Sequence, residues 1–171
     1  PVTQPRAFID QCHQQPPADA AALHFIEHVN RILDHEAVAD ARAVMPGMDE
    51  LNVGWLEEPF PAHDYRSYRQ ASAYGVTPLA AGENHYTRFE FNRVIEDGSI
   101  SILQPDLSKT GGLTEALRIA AMASAYKLPI HPHSSMTGLN HAISIHFLAA
   151  IDNGGYFEGD VSKANKFRDE L

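Results

Sequence analysis

The stretch GWLEEPF, residues 54–60, joins an apolar pair to two carboxylates and a proline. It fits a short buried strand whose end presents Glu57, or alternatively the acidic first turn of a helix. Pro59 has no backbone N–H to continue a strand ladder, so the chain is expected to turn away there. The rest of the sequence decides between the two interpretations, and with them the predicted fold.

Five short β-like runs alternate with helical runs, which favours the strand interpretation. The runs are VGWL, TPLAA, ISILQ, LPIH and GGYFE. Such alternation predicts an α/β fold with a parallel sheet. Each strand and helix together take about two dozen residues, the size of a barrel or doubly wound repeat.

Caps and periodicity mark the helices between the runs. Asp64 is predicted to cap the helix after the first strand, and Thr87 to cap the next one, which Gly98 closes. The stretch LNHAISIHFLAAI, residues 139–151, predicts a last and strongly apolar helix. In the helix before it, helical spacing predicts one apolar face, formed by Leu113, Leu117, Ala120 and Ala121.

Each of the five predicted strands ends in an ionisable residue or is closely followed by one. In chain order these are Glu57, Glu83, Asp106, His131 or His133, and Glu158. The steps from Glu57 to Glu83, Asp106 and His133 are 26, 23 and 27 residues, about one unit each. In parallel barrels the functional residues gather at the carboxyl ends of the strands. We therefore expect these side chains to converge on one rim.

The residue types at this rim indicate a chemistry. Two carboxylates from neighbouring strands suit Mg²⁺, which prefers oxygen ligands. An aspartate beside a histidine fixes the tautomer of the imidazole and raises its basicity, which suits a general base or acid. A cation opposite such a base can stabilise the enediolate that forms when a proton α to a carboxylate is removed.

Composition limits the other classes of function. The 171-residue chain has a formal net charge of −9 at pH 7, which argues against nonspecific binding to nucleic acid. No apolar run approaches the roughly 20 residues of a membrane span, and the first 20 residues show no secretory signal. The single cysteine, Cys12, excludes an internal disulfide and favours a reducing compartment. We therefore expect a cytoplasmic protein.

Five motifs resemble the barrel motifs of the enolase superfamily, in its mandelate racemase/muconate lactonizing enzyme-like group. They are WLEEP, AGEN, QPDLSKTGG, LPIHPHSS and YFEGDVSKANKFRDEL, in the family's order and at matching spacing. The resemblance covers roughly residues 49–171. It implies a partial (β/α)8 TIM-type barrel of about five consecutive βα units, without the family's N-terminal capping domain.

The resemblance also implies a role for each residue at the rim. Glu57 matches the second metal ligand and Glu83 the third, which implies Mg²⁺ as the cofactor. Asp106 and His133 match an Asp-His dyad in which His133 is the base. Glu158 matches the acidic group on the last strand that contacts the substrate or assists the acid step.

The activity implied is removal of a proton α to a carboxylate, in a small hydroxy acid or sugar acid. Members with this dyad racemise or dehydrate such acids, and the loop HSSMTGLNHA most resembles the acid-sugar dehydratase branch. Two alternatives stay open. One is an inactive truncated remnant, and the other is a lactone cycloisomerase on the same scaffold.

Residues 1–50 depart from the family and are interpreted as an atypical leader, helical or irregular, before a partial barrel domain at 51–171. The family's first metal ligand is the Asp of a D-x-N motif one strand earlier. In that register Arg31 lies one unit before Glu57, and His28 takes the place of the Asp. The family's K-x-K lysine motif has no match either. Because five strands cannot close an eight-stranded barrel, we expect self-association into a homo-oligomer, or a partner chain that supplies the missing strands.

Overall fold

Short strands and longer helices alternate through the part of the chain that the computed structural model describes, residues 38–135, 137–160 and 165–169. The elements are α1 (Val38–Glu50), β1 (Leu56–Glu57), α2 (Tyr65–Ala71), β2 (Leu79–Ala81), α3 (Thr87–Asp97), β3 (Ile102–Leu103), α4 (Leu113–Ala125), α5 (Gly138–Ala150) and α6 (Lys166–Asp169). Most of the predicted leader, residues 1–37 with His28 and Arg31, lies outside the described residues. The chain forms two compact units, 1–79 and 80–171.

In the first unit, α1 has one buried face, made by residues at helical spacing: Ala41, Val44, Met45 and Met48. Asp64 caps α2 by accepting a hydrogen bond from the Ser67 N–H at 3.2 Å, which confirms that prediction. The hydroxyl of the buried Tyr68 donates to the Phe60 carbonyl at 2.9 Å. Burial raises the pKa of Tyr68, so this side chain stays a neutral donor.

Asp49, near the end of α1, fixes the segment that leads into β2. Its carboxylate accepts hydrogen bonds from the Val76 N–H at 2.9 Å, the Thr77 N–H at 2.8 Å and the Thr77 hydroxyl at 2.6 Å. The hydroxyl of Thr77 and the Val76 N–H lower the pKa of Asp49, and burial offsets only part of this effect. The ionised carboxylate therefore stabilises the packing of α1 against this segment.

In the second unit, β2 pairs with β3 in parallel, with Ala80 opposite Ile102 and Ala81 opposite Leu103. Parallel bridges continue the ladder from Leu103 to Ile130 and from Ile130 to Gly154. The predicted fourth and fifth strands are thus single bridged positions, although they keep the expected order and direction. The α/β character and the parallel pairing are confirmed. No helix in the part of the chain that the structure covers is long and apolar enough to cross a membrane.

Of the four residues in the predicted apolar face of α4, Ala120 is buried and the other three are exposed, so the prediction was wrong in part. Leu113 and Leu117 are more than a third exposed, and the buried apolar residues of α4 are Ala116, Ile119, Ala120 and Ala123. α4 is apolar on more than one side, so spacing alone does not select the buried face. The observed face is rich in alanine, and small side chains let a helix approach its neighbours closely.

The predicted cap of α3 also differs from the structure. Thr87 is the first helical residue rather than the cap, and its N–H donates to the Thr110 carbonyl at 3.1 Å. The side chain of Glu90 instead accepts from the Tyr86 N–H. The first N–H groups of the helix thus find acceptors without a threonine cap. Gly98 closes α3 in the left-handed conformation, as predicted.

Gly82 lets the end of β2 lie directly against the strand beside it. Its φ is +154°, and a Cβ at this position would lie 2.6 Å from the backbone nitrogen of Gln104. That nitrogen donates to the Ala81 carbonyl at 2.9 Å, so it cannot move away without breaking the ladder. The absence of a side chain at Gly82 therefore allows the backbone immediately before Glu83 to lie close to Gln104.

Replacing Asp49 with alanine is expected to lower the free energy of unfolding by about 1 kcal/mol, because three donors lose a partly exposed charged acceptor. A lowered folded-state pKa stabilises the fold above the unfolded-state value of about 3.9, and this stabilisation disappears as the pH falls through the folded-state pKa. Urea denaturation at pH 7 and at pH 3 measures both effects. The exposed neighbour Glu50→Gln is the control. Equal losses for Asp49→Ala at both pH values would contradict the role of the charge.

Gly82→Ala is expected to cost about 3 kcal/mol of stability, from backbone strain together with overlap on Gln104. Gly98→Ala is the matched control, because its φ is also positive, at +74°, while no atom lies within 4 Å of the added methyl group. It should cost about 1 kcal/mol, from strain alone. Thermal or chemical denaturation of both variants tests this difference. Equal losses would show that the approach to Gln104 is not constrained.

Candidate functional site

The imidazole of His133 lies between two carboxylates in the second unit. Its Nδ1 is 2.8 Å from Asp106 Oδ2, and its Nε2 is 2.7 Å from Glu83 Oε2. Glu158 Oε2 lies 4.0 Å from the same Nε2. Four of the residues predicted from the sequence therefore form one cluster.

The parallel ladder explains why these four side chains meet. Glu83 follows β2 and Asp106 follows β3, while His133 and Glu158 follow the two bridged positions. All four therefore leave the ladder at its carboxyl-terminal end. These residues are about one βα unit apart in the sequence, and the parallel ladder therefore brings their side chains close together in space.

Asp106 is fully buried, and its two oxygens have different partners. Oδ1 accepts hydrogen bonds from the Ser108 N–H at 2.7 Å, from the Ser108 hydroxyl and from Asn140 Nδ2 at 3.3 Å. Oδ2 faces His133. Burial raises the pKa of Asp106, but the hydrogen bonds from His133 and Ser108 outweigh it and hold the pKa below its usual value. The side chain is therefore an ionised acceptor.

An ionised acceptor at Asp106 determines which ring nitrogen of His133 carries a proton. A carboxylate only accepts hydrogen bonds, so Nδ1 must donate to it, and Nε2 points towards Glu83 and Glu158. Burial lowers the pKa of His133. The hydrogen bonds to Asp106 and Glu83, with the charges of Glu83 and Glu158, more than offset this and raise the pKa to about 10.

Glu158 has a backbone contact that orients it. Its Oε2 accepts a hydrogen bond from the Ser134 N–H at 3.0 Å, and Ser134 directly follows His133. The carboxylate that approaches Nε2 is thus held by the same turn that carries the imidazole.

Glu57 lies in the first unit, as the last residue of β1. Its Oε2 accepts a hydrogen bond from the indole N–H of Trp55 at 3.2 Å. The next residue, Glu58, has a positive φ of +34°, which is unusual for a residue other than glycine. This unusual φ lies directly before Pro59, where the chain was expected to turn away.

His131, the alternative to His133 in the sequence, has different surroundings. Its ring packs edge-on against Tyr156, with ring centroids 5.2 Å apart. A Cβ at position 155 would lie 2.2 Å from that ring, so Gly155 leaves the space that His131 fills. The imidazole that contacts Asp106 is that of His133.

Sequence reasoning missed three residues that orient the cluster, namely Ser108, Ser134 and Asn140. For Ser108 a signal was present, because Asp-x-Ser is typical of turns in which an aspartate accepts from the backbone two residues later. Asn140 gave no comparable signal. It lies within a run that was interpreted as a strongly apolar helix.

A magnesium ion needs more oxygen ligands than the predicted ligands, Glu57 and Glu83, can supply. Among residues 38–135, 137–160 and 165–169, no group of three or more His, Cys, Asp or Glu side chains is arranged to hold a metal ion. Glu83 has suitable carboxylate chemistry, but its Oε2 is engaged by His133. The described residues therefore do not by themselves fit a complete magnesium site.

Curated relatives match part of this chain. The D-galactonate dehydratase of Ralstonia pickettii is 40% identical over 106 residues, which are 62% of this chain and 28% of that protein. The D-galactonate dehydratase of Verminephrobacter eiseniae is 43% identical over 110 residues, 64% of this chain and 29% of that protein. The matched region thus spans less than a third of the curated relatives.

Solved structures match this chain as well. A member of the enolase superfamily from Polaromonas sp. JS666 is 59% identical, with a TM-score of 0.77 over 79% of this chain and 36% of that one. The 3,6-anhydro-D-galactonate cycloisomerase of Zobellia galactanivorans is 29% identical, with a TM-score of 0.75 over 81% of this chain and 39% of that one.

The family match extends further along the chain than the individual relatives do. Residues 26–171 match the enolase C-terminal domain-like family, so the match includes the second half of the predicted leader. This confirms the resemblance inferred from the motifs at the strand ends. The chain belongs to the enolase C-terminal domain-like family, and its structural relatives are enolase superfamily proteins of the mandelate racemase type.

Proposed function

We propose that this chain carries the proton-transfer groups of an acid-sugar dehydratase of the enolase superfamily. The observation that carries the proposal is the buried hydrogen bond between Asp106 and His133, which leaves Nε2 directed at two further carboxylates. The activity named for the curated relatives, D-galactonate dehydratase, supports the substrate class.

In this proposal His133 transfers a proton at Nε2. Transfer of the proton α to the substrate carboxylate onto His133 leaves an enediolate. The β-hydroxyl then departs as water with the proton returned from His133, and the enol that remains becomes a 2-keto-3-deoxy acid. Asp106 keeps the proton on Nδ1 and so directs Nε2 at the substrate. Glu158, held by Ser134, contacts the substrate or assists the acid step. Substrate must displace Glu83 from Nε2 before proton transfer, because the contact with Glu83 raises the pKa of His133 and keeps Nε2 protonated.

We include magnesium in the proposal because the family resemblance implies it. The described residues do not form a complete set of ligands for it. Glu57 and Glu83 would supply two carboxylates, and the bound cation would stabilise negative charge on the enediolate.

The architecture that we propose has about five consecutive βα units of an eight-unit barrel, with a leader up to residue 50 and the barrel domain from residue 51. We also propose that the protein is a homo-oligomer. The net charge of −9 and the single cysteine support a cytoplasmic protein that does not bind nucleic acid, and the resemblance implies a small sugar acid as the substrate.

A second candidate activity is that of a lactone cycloisomerase. The observation that favours it is the similarity to the 3,6-anhydro-D-galactonate cycloisomerase of Zobellia galactanivorans. The two activities give different products, because a dehydratase releases water and a 2-keto-3-deoxy acid, whereas a cycloisomerase gives an isomer of its substrate. A remnant without activity is the third alternative.

His133→Asn is expected to lower kcat at least about 100-fold, the lower end of the usual contribution of a general acid or base. The assay uses the complete gene product with Mg²⁺ and a panel of aldonic and aldaric acids, D-galactonate included. Formation of 2-keto-3-deoxy acid is followed by its semicarbazone. His146→Asn is the matched control, because His146 is exposed on α5 and should give wild-type rates.

Each alternative predicts a distinct result in this assay. Full activity of His133→Asn would rule out the proposed base. An isomeric product without loss of water would support the cycloisomerase. A folded wild-type protein with no turnover across the panel would support the inactive remnant.

A further inference from the structure

Helix α5 turns polar side chains inward. Its buried residues are Asn140, Ser144 and Phe147. By contrast, Leu139 and Ile145 are 66% and 52% exposed. Burying an amide costs free energy unless it is hydrogen-bonded, so the inward position of Asn140 calls for a partner.

That partner is Asp106. Asn140 Nδ2 lies 3.3 Å from Asp106 Oδ1, and both side chains are buried. The chemistry of the contact determines the orientation of the amide. The carboxylate can only accept, so the NH₂ group must face it and the amide oxygen must point away.

Asn140 and Ser108 both donate to Asp106 Oδ1, but they lie at very different distances from Asp106 in the sequence. Ser108 lies two residues from Asp106, so its hydrogen bonds hold the carboxylate only to its own turn. Asn140 is 34 residues away, on a different element. It connects Asp106 to the helix that begins shortly after His133.

The first turn of α5 holds Asn140 in place. The Thr137 hydroxyl caps the helix by accepting from the Asn140 N–H at 3.0 Å. In the same turn, the neighbouring His141 has its Nε2 2.9 Å from the Ser134 carbonyl. The segment from His133 to Asn140 is therefore attached to the Asp106 carboxylate at both of its ends.

We propose that Asn140 is a positioning residue for the Asp106–His133 pair. Its amide ties the first turn of α5 to the Asp106 carboxylate and so holds the segment that begins at His133 where Nδ1 of the imidazole meets Oδ2. The effect on turnover rests on the proposed function, whereas the effect on the geometry of the pair does not.

Loss of the amide would remove the contact between α5 and Asp106 and leave the hydrogen bonds of Ser108 intact. The two donors of Ser108 would still hold Oδ1, but the start of α5 could shift relative to the carboxylate. Oδ2 would then move relative to the imidazole, and the Nδ1–H···O contact would lengthen. We expect a weaker hydrogen bond at Nδ1 while Asp106 remains buried and ionised.

NMR of protein labelled with ¹⁵N-histidine observes this bond directly. The wild type should show a strongly downfield Nδ1–H resonance that is missing in His133→Asn, which assigns it. In Asn140→Ala and Asn140→Leu the resonance should move upfield and exchange with solvent about tenfold faster, the loss expected for one hydrogen bond to a charged group. Ser144→Ala removes another buried polar group of α5 and should leave the resonance unchanged.

The two variants at position 140 make the test decisive. Asn140→Leu refills the volume that alanine empties, so it carries the test if Asn140→Ala does not fold, as judged by circular dichroism. An unchanged Nδ1–H resonance in a folded variant would overturn the proposal. An equal shift in Ser144→Ala would also overturn it, because α5 packing alone would then explain the effect.

Steady-state kinetics separate this proposal from the proposed function. In the complete gene product, Asn140→Ala should lower kcat about tenfold and change KM less than about twofold, since the amide orients the base and does not touch the substrate. Absence of dehydratase activity in the wild type would defeat the proposed function, while the NMR result would still decide the role of Asn140.

Discussion

The buried hydrogen bond between Asp106 and His133 is the constraint on which the arrangement around the cluster depends. A carboxylate with no exposure to solvent must be surrounded by donors, or its charge would make burial too costly. Ser108 supplies two donors from the adjacent turn, Asn140 supplies one from α5, and the imidazole supplies the fourth. The turn after β3, the segment after Ile130 and the start of α5 must all adopt positions that satisfy one side chain.

The cluster was predictable from the sequence because parallel βα units have a nearly constant length. Side chains that follow successive strands, such as Glu83 and Asp106, therefore recur at one end of the ladder. The lengths of the strands were harder to predict from the sequence. The backbone of Leu103 donates to the Pro129 carbonyl and accepts from the His131 N–H, so Ile130 alone meets the geometry of a parallel pair. An apolar run shows which residues enter the ladder, but not how far regular pairing extends.

Helix faces were the least predictable part, for two different physical reasons. In α4, apolar residues occur on more than one side, so Leu117 fitted the expected stripe although Ile119 is the buried residue. In α5 the usual rule is reversed, because a polar group with a partner can be buried while Leu139 stays exposed. The partner of Asn140 lies 34 residues away, and no local pattern could reveal it.

Asn140 belongs to the first turn of α5, where backbone N–H groups point out of the helix end. The peptide dipoles of this 13-residue helix add up to a partial positive charge at that end. Through its contact with Asn140, the Asp106 carboxylate lies beside this charge. The backbone thus balances part of the negative charge that the three carboxylates bring to the cluster. Unlike a side chain, a peptide dipole does not titrate, so this contribution to the local potential persists at every pH at which α5 is folded.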